Sequence, residues 1–172
     1  MLFPTHLAAA YLVGERWAYP SVPVVLGAAL PDVVDKPLAM AGVVDLYHSV
    51  GHSLLALLGL AVAVRLSGPS AAVRVPGSSA AARVGRTGLA LWVGWASHLT
   101  LDAGHMVLNG RPGDVRFLAW PFVRHRPAVH LPPVEFLGQY LGTPASVVEV
   151  GIWAGVAYVA VTDRVRADDG AA

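Results

Sequence analysis

The stretch TGLALWVGWASHLTLDAGHMVL (87–108) decides the class of fold. It is apolar on nearly every side of a helix, so it has little polar face to offer water. Yet it carries His98 and Asp102 four residues apart, a spacing that puts two side chains on one helical face. A second stretch, HSVGHSLL (48–55), repeats the arrangement with His48 and His52. Unpaired polar groups are costly in such surroundings, and ionisable groups near membrane depth are candidates for function.

The rest of the chain shares this character. Of its 172 residues, 55% are hydrophobic and 13% charged, about half the charge of an ordinary soluble domain. That predicts an all-α, multi-pass protein of the cell membrane, surrounded by lipid. A formal charge of +1, with twelve basic residues scattered and no aromatics interleaved, argues against a nucleic-acid surface. Without cysteine there is no thiolate, so any metal must sit on imidazole and carboxylate. MLFPTH at the start has no positive n-region, and no cleavable signal peptide is expected.

Proline, glycine and serine punctuate the apolar runs. THLAAAYLVGERWA (5–18) reads as a first helix with Thr5 as its N-cap, and SVPVVLGAALPD (21–32) as a short second run stopped near Pro31. Residues 33–47 read as loop with some helix, and a third run leads from His48 to Val64. SGPSAAVRVPGSSAAARVGR (67–86) reads as a flexible loop. After 87–108, a proline- and glycine-rich segment leads to ASVVEVGIWAGVAYVAVT (145–162) and a disordered tail, 163–172. One domain, a bundle of about four to five helices, is expected over 1–172. The run from His48 to Val64 makes a helix of roughly 25 Å against a hydrocarbon core of about 30 Å. A compact soluble bundle is therefore the competing fold.

Taken singly, each histidine reads equally as a hydrogen-bonded or snorkelling helix-end residue. Together they say more. If helix one runs from His6 to Arg16, helix two returns with Asp32, helix three starts at His48 and His52, and helix four climbs from Arg86 to His98 and Asp102, all six candidate ligands land in one layer. Arg16, Arg65, Arg74, Arg83 and Arg86 collect in the opposite layer. The excess of basic residues there, with Arg164 and Arg166, over Lys36, Arg111, Arg116, Arg124 and Arg126 places the site on the outer face. His105 lies three residues after Asp102 and is a further candidate.

The order Thr5-His6, Leu30-Pro31-Asp32, His52-Ser53-Leu54-Leu55, His98 to Asp102 and Trp120-Pro121-Phe122 resembles the family of predicted inner-membrane metal-dependent hydrolases, over residues 1 to about 125. That family is similar in pattern to the all-helical zinc-dependent phospholipases C. The resemblance implies that His6, Asp32, His52, His98 and Asp102 are metal ligands and that the bond cleaved is a phosphoester in a lipid or lipid-linked substrate. His48 and Asp35 depart from the family's usual spacing, so their roles rest on position alone.

Five or six ligands exceed what one tetrahedral zinc needs, so a divalent metal, zinc, is expected as one or two ions, the dinuclear site being favoured. Metal lowers the pKa of bound water towards ~7, and Asp35 is the expected general base. Arg111, Arg116, Arg124 and Arg126 are expected to grip a phosphate. Alternatively they are interfacial arginines meeting headgroups. His125 and His130 share their loop. No HExxH, P-loop or GxSxG occurs, and Ser97 and Ser49 form no dyad with neighbouring histidines, because adjacent residues on a helix point apart. A non-catalytic protein that binds, senses or carries a divalent metal through the same cluster is the rival reading, and a metal-free polar cluster is a third.

Overall fold

Two glycines bring the central helices into contact. In the computed structural model of the chain, which describes residues 1–67, 79–123 and 133–169, a Cβ on Gly27 would fall on the Leu91 carbonyl oxygen and one on Gly94 on that of Val24. Backbone therefore meets backbone, as at the small-residue crossings of membrane helices. Ala10, Val24, Ala28 and Ala90 fill the surrounding core at 0% exposure, so this bundle is held by close approach of small residues rather than by large interdigitating side chains.

All regular secondary structure among the described residues is helical, with no strand: α1 (Phe3–Trp17), α2 (Ser21–Met40), α3 (Leu54–Ser67), α4 (Ser79–Leu108), a 3₁₀ segment (Pro112–Ala119), α5 (Pro133–Tyr140) and α6 (Pro144–Asp169). The chain turns from α1 to α2 at Ala18, whose φ of 53° is left-handed. Packing runs chiefly between α2 and α4, α1 and α2, and α3 and α4.

Four local expectations change. Helix α2 does not stop near Pro31 but continues through Pro31 and Pro37 to Met40. Each proline forfeits one helical hydrogen bond, and tertiary packing against α4 outweighs that cost. Residues 79–86, expected as flexible loop, form the first turns of α4. Their Ala80, Ala81, Ala82 and Arg83 are strong helix formers, whereas composition alone suggested a linker. The stretch 163–169, expected as a disordered tail, prolongs α6, with Arg166 3.9 Å from Asp163 one turn away. Thr5 lies inside α1 rather than at its N-cap, which is Leu2 and has no side-chain cap of its own.

Among the described residues one helix is long and apolar enough to cross a membrane, α6 with 26 residues, roughly 39 Å. Its exposed residues include Val147, Val150, Tyr158 and Val161, while Ala145 and Glu149 are buried. Helix α3 is apolar but shorter, at 14 residues. It leaves Leu54, Leu55, Leu58, Val62 and Leu66 exposed and buries only Leu57.

Candidate metal centre

The centre is organised by a carboxylate that touches none of its open faces. Asp35, 0% exposed on α2, accepts hydrogen bonds from the backbone N–H groups of Ser49 (2.7 Å), Gly51 (2.8 Å) and His52 (3.1 Å) and from His52 Nδ1 (2.8 Å). The segment 48–53 is thus not helical, as the four-residue spacing suggested; it is a loop wrapped on Asp35, and α3 starts only at Leu54. Gly51 is required, because a Cβ there would sit 2.7 Å from the Pro31 carbonyl oxygen. Trp95 Nε1 on α4 donates to the Gly51 carbonyl at 2.7 Å. Ser53 caps α3 by accepting from the Ala56 N–H.

Helix α4 supplies the other half. Where α2 and α4 cross, His98 Nδ1 lies 2.7 Å from the Ala28 carbonyl oxygen. A carbonyl only accepts, so Nδ1 carries the proton and the neutral ring presents a bare Nε2. His52 Nδ1 likewise donates to Asp35. The Nε2 atoms of His52 and His98 face each other at 3.2 Å, and Asp102 Oδ2 stands 3.5 Å from the former and 3.3 Å from the latter.

The remaining ligand candidates close round this point. His6 Nε2 lies 3.1 Å from Asp102 Oδ1, and its ring stacks on His98 at 3.9 Å between centroids. His48 Nε2 is 3.6 Å from Asp102 Oδ2. Asp32 Oδ1 is 3.7 Å from His52 Nε2, while its Oδ2 is held by Lys36 at 2.7 Å. All six residues therefore meet at one end of the bundle, as the alternating direction of the helices predicted. They form three overlapping groups, His6–His98–Asp102, Asp32–His52–His98 and His48–His52–Asp102, in which the ligand atoms lie within 4.8 Å of one another.

This donor set fits a divalent cation. The Nε2 atoms of His52 and His98 and an Asp102 oxygen converge within 3.5 Å of one another, and His6 Nδ1 and Ser49 Oγ are buried without a hydrogen-bond partner. Such groups repel unless positive charge sits among them. In the metal-free protein that charge is the buried Met1 ammonium, 3.5 Å from Asp102 Oδ1, together with a proton on His52. Burial opposes a charged His52, but Asp102 and Asp35 outweigh it and push its pKa up to about 9. Nitrogen and oxygen donors without sulfur suit zinc and its first-row neighbours.

Other expected residues fall outside the cluster. His105 joins none of the three ligand groups; its Nε2 is 3.4 Å from Arg111 Nη2 and its ring is 5.2 Å from that of Tyr140. Arg111 is held by Asp114 at 3.0 Å. Arg116 is exposed on the 3₁₀ segment, next to Phe117, whose ring packs 5.2 Å from His48 and 6.1 Å from His52. Arg124, Arg126, His125 and His130 lie outside the described residues. Sequence reasoning missed what builds the site: Gly27 and Gly94, which let His98 reach Ala28, and Gly51, which lets the loop reach α2. Isolated glycines inside apolar runs were the available signal.

Among curated proteins and solved structures, nothing matches the chain. A family model does match, described as YdjM inner membrane protein and covering residues 1–165. That span takes in α1 to α5, most of α6 and every residue of the cluster, and on it the chain belongs to the YdjM inner membrane protein family.

Proposed function

We propose that this protein is a multi-pass, membrane-bound metal-dependent hydrolase whose substrate is a phosphoester in a lipid or lipid-linked molecule. The observation that carries the metal is the pair of Nε2 atoms of His52 and His98 facing each other beside Asp102. His6, Asp32, His48, His52, His98 and Asp102 would hold one or two ions, zinc being the best match to the donors. A bound divalent metal supplies a Lewis acid and makes water a nucleophile near neutral pH.

The chain's own residues supply the rest. His6, His52 and His98 are buried at 2%, 0% and 0% exposure, so a substrate arrives on the side of His48 and Asp32, whose side chains are 32% and 13% exposed. Asp35 has no exposed surface with which to touch substrate, and four hydrogen bonds already converge on it. It is a positioning residue that fixes the His52 tautomer, not the general base that its sequence position suggested. Arg111, which precedes the 3₁₀ segment, and Arg116 on it remain the phosphate-binding candidates. The phosphoester class rests on the resemblance of the motif order to the hydrolase family, and the multi-pass topology on the exposed leucines and valines of α3 and α6.

The near-complete burial of three histidines also favours a second reading, in which the cluster binds or carries metal without hydrolysis. One experiment separates them: metal content and phosphodiester hydrolysis of the purified protein, beside His98→Ala and Asp102→Ala. The hydrolase reading expects bound zinc and measurable turnover in the wild type, with both falling at least ~10-fold in each variant. Metal without turnover favours the carrier. Equal metal content in all three proteins removes both readings.

A further inference from the structure

Helix α6 carries a buried acid that the metal cluster does not use. Glu149, 7% exposed, accepts three hydrogen bonds: from the Leu2 backbone N–H at 2.7 Å, the Thr5 hydroxyl at 3.1 Å and the Tyr140 hydroxyl at 2.8 Å. Two of these partners belong to the start of α1, more than 140 residues away in sequence. The Thr5 hydroxyl in turn accepts from Trp153 Nε1 at 3.2 Å, one turn along α6. The N-cap residue of α1, Leu2, has no side chain able to cap. Glu149 fills that need from another helix, satisfying one of the orphan N–H groups and placing negative charge at the positive end of the helix dipole.

Thr5 is followed directly by His6. The first turn of α1 therefore has two constraints: Glu149 grips it on one side, and on the other His6 stacks on His98 and points Nε2 at Asp102. His6 Nδ1 has no partner, so His6 lacks the Nδ1 hydrogen bond that orients His52 and His98 and is held through its ring only at Nε2, 3.1 Å from Asp102 Oδ1. Once Nε2 is given to a metal, the helix that carries the ring must aim it.

We propose that Glu149 is the positioning residue for His6, clamping the first turn of α1 to α6 so that the His6–His98–Asp102 ligand group is assembled only when the last helix is docked. The inference rests on the metal-centre reading and deepens it. It makes the metal site depend on α6, the one described helix long and apolar enough to cross a membrane.

The test is a double-mutant cycle read as zinc affinity of the full-length protein in detergent micelles. Glu149→Ala should weaken zinc binding by roughly 10-fold, the scale of an orienting partner's loss. His6→Ala should weaken it at least as much. The double variant should then be no weaker than His6→Ala alone, because removing the clamp changes nothing once its cargo is gone. Glu149→Gln, with its oxygen at the Oε1 position, keeps the acceptor shared by Leu2 and Tyr140 and turns its amide NH2 toward the Thr5 hydroxyl oxygen, and should restore most of the affinity. Thr5→Val enters the same cycle if Glu149→Ala fails to fold. Additive losses, or Glu149→Ala binding zinc as tightly as wild type, would overturn the clamp. A wild type that binds no zinc sinks the metal centre itself, a separate result visible before any variant is made.

Discussion

At one end of the bundle, His6, Asp35, His52, His98 and Asp102 are buried against one another. At the other, Arg65, Arg83 and Arg86 are exposed, and Arg86 reaches back to the Ala18 carbonyl at 2.9 Å. A cleft of about 600 Å³ opens at this basic end, bordered by Glu15, Tyr19, Arg83 and Arg86. This cleft and the densest chemistry are thus at opposite ends. An exposed guanidinium is already solvated and asks nothing of its surroundings, whereas imidazoles and carboxylates buried against one another need positive charge among them. Electrostatic demand, not this cleft, marks the candidate site.

The strongest way to break that contrast is to unmake the polar end. Asp35→Ala strands three backbone N–H groups and the His52 Nδ1–H in the interior, and should cost about 3–5 kcal/mol in an unfolding titration while lowering zinc affinity. A cost below ~1 kcal/mol would mean that Asp35 does not organise the loop.

Next in size is the helix crossing. Gly94→Ala places a methyl on the Val24 carbonyl oxygen, so α2 and α4 must separate and His98 must leave Ala28. Thermal unfolding should show a loss towards the upper end of the 1–3 kcal/mol usual for overpacking. Gly59→Ala, where a Cβ meets nothing within 4 Å, is the neutral control.

The metal-free protein should also reveal its proton. With the His52 pKa raised from 6.5 to about 9, the stabilisation is fully present below the unfolded pKa and is lost as pH rises through the folded one. Stability should fall by about 1.4 kcal/mol per pH unit across that window. Zinc, which replaces the proton, should flatten or reverse the slope. A flat metal-free profile from pH 7 to 9 would contradict the convergent lone pairs.

Smallest of all is the change expected at the basic end. Arg83→Gln and Arg86→Gln should each move stability by less than ~0.5 kcal/mol and leave zinc content unchanged. A large loss of zinc in either would erase the distinction between the ends.

Legibility in the sequence differed by element. His98 and Asp102 could be paired from their spacing because both stand on one regular helix, where a four-residue interval does place side chains together. His48 and His52 have the same interval and also converge, but for another reason: Asp35 draws their loop round its carboxylate. Helix α2 was misjudged at Pro31 because local propensity forbids what packing against α4 permits. Glu149 went unread since its partners, Leu2 and Thr5, are visible only once α6 lies against α1.

By itself, then, the amino-acid order determined the all-helical class, the membrane character and the set of imidazoles and carboxylates brought to one end, since hydropathy and alternating helix direction depend on residues near one another in the chain. Tertiary structure alone decided which nitrogen of His52 and His98 faces the centre, that Asp35 is sealed behind four hydrogen bonds, and that Glu149 caps the first helix. Each of these depends on a hydrogen bond between residues remote in sequence, and no periodicity encodes such a contact.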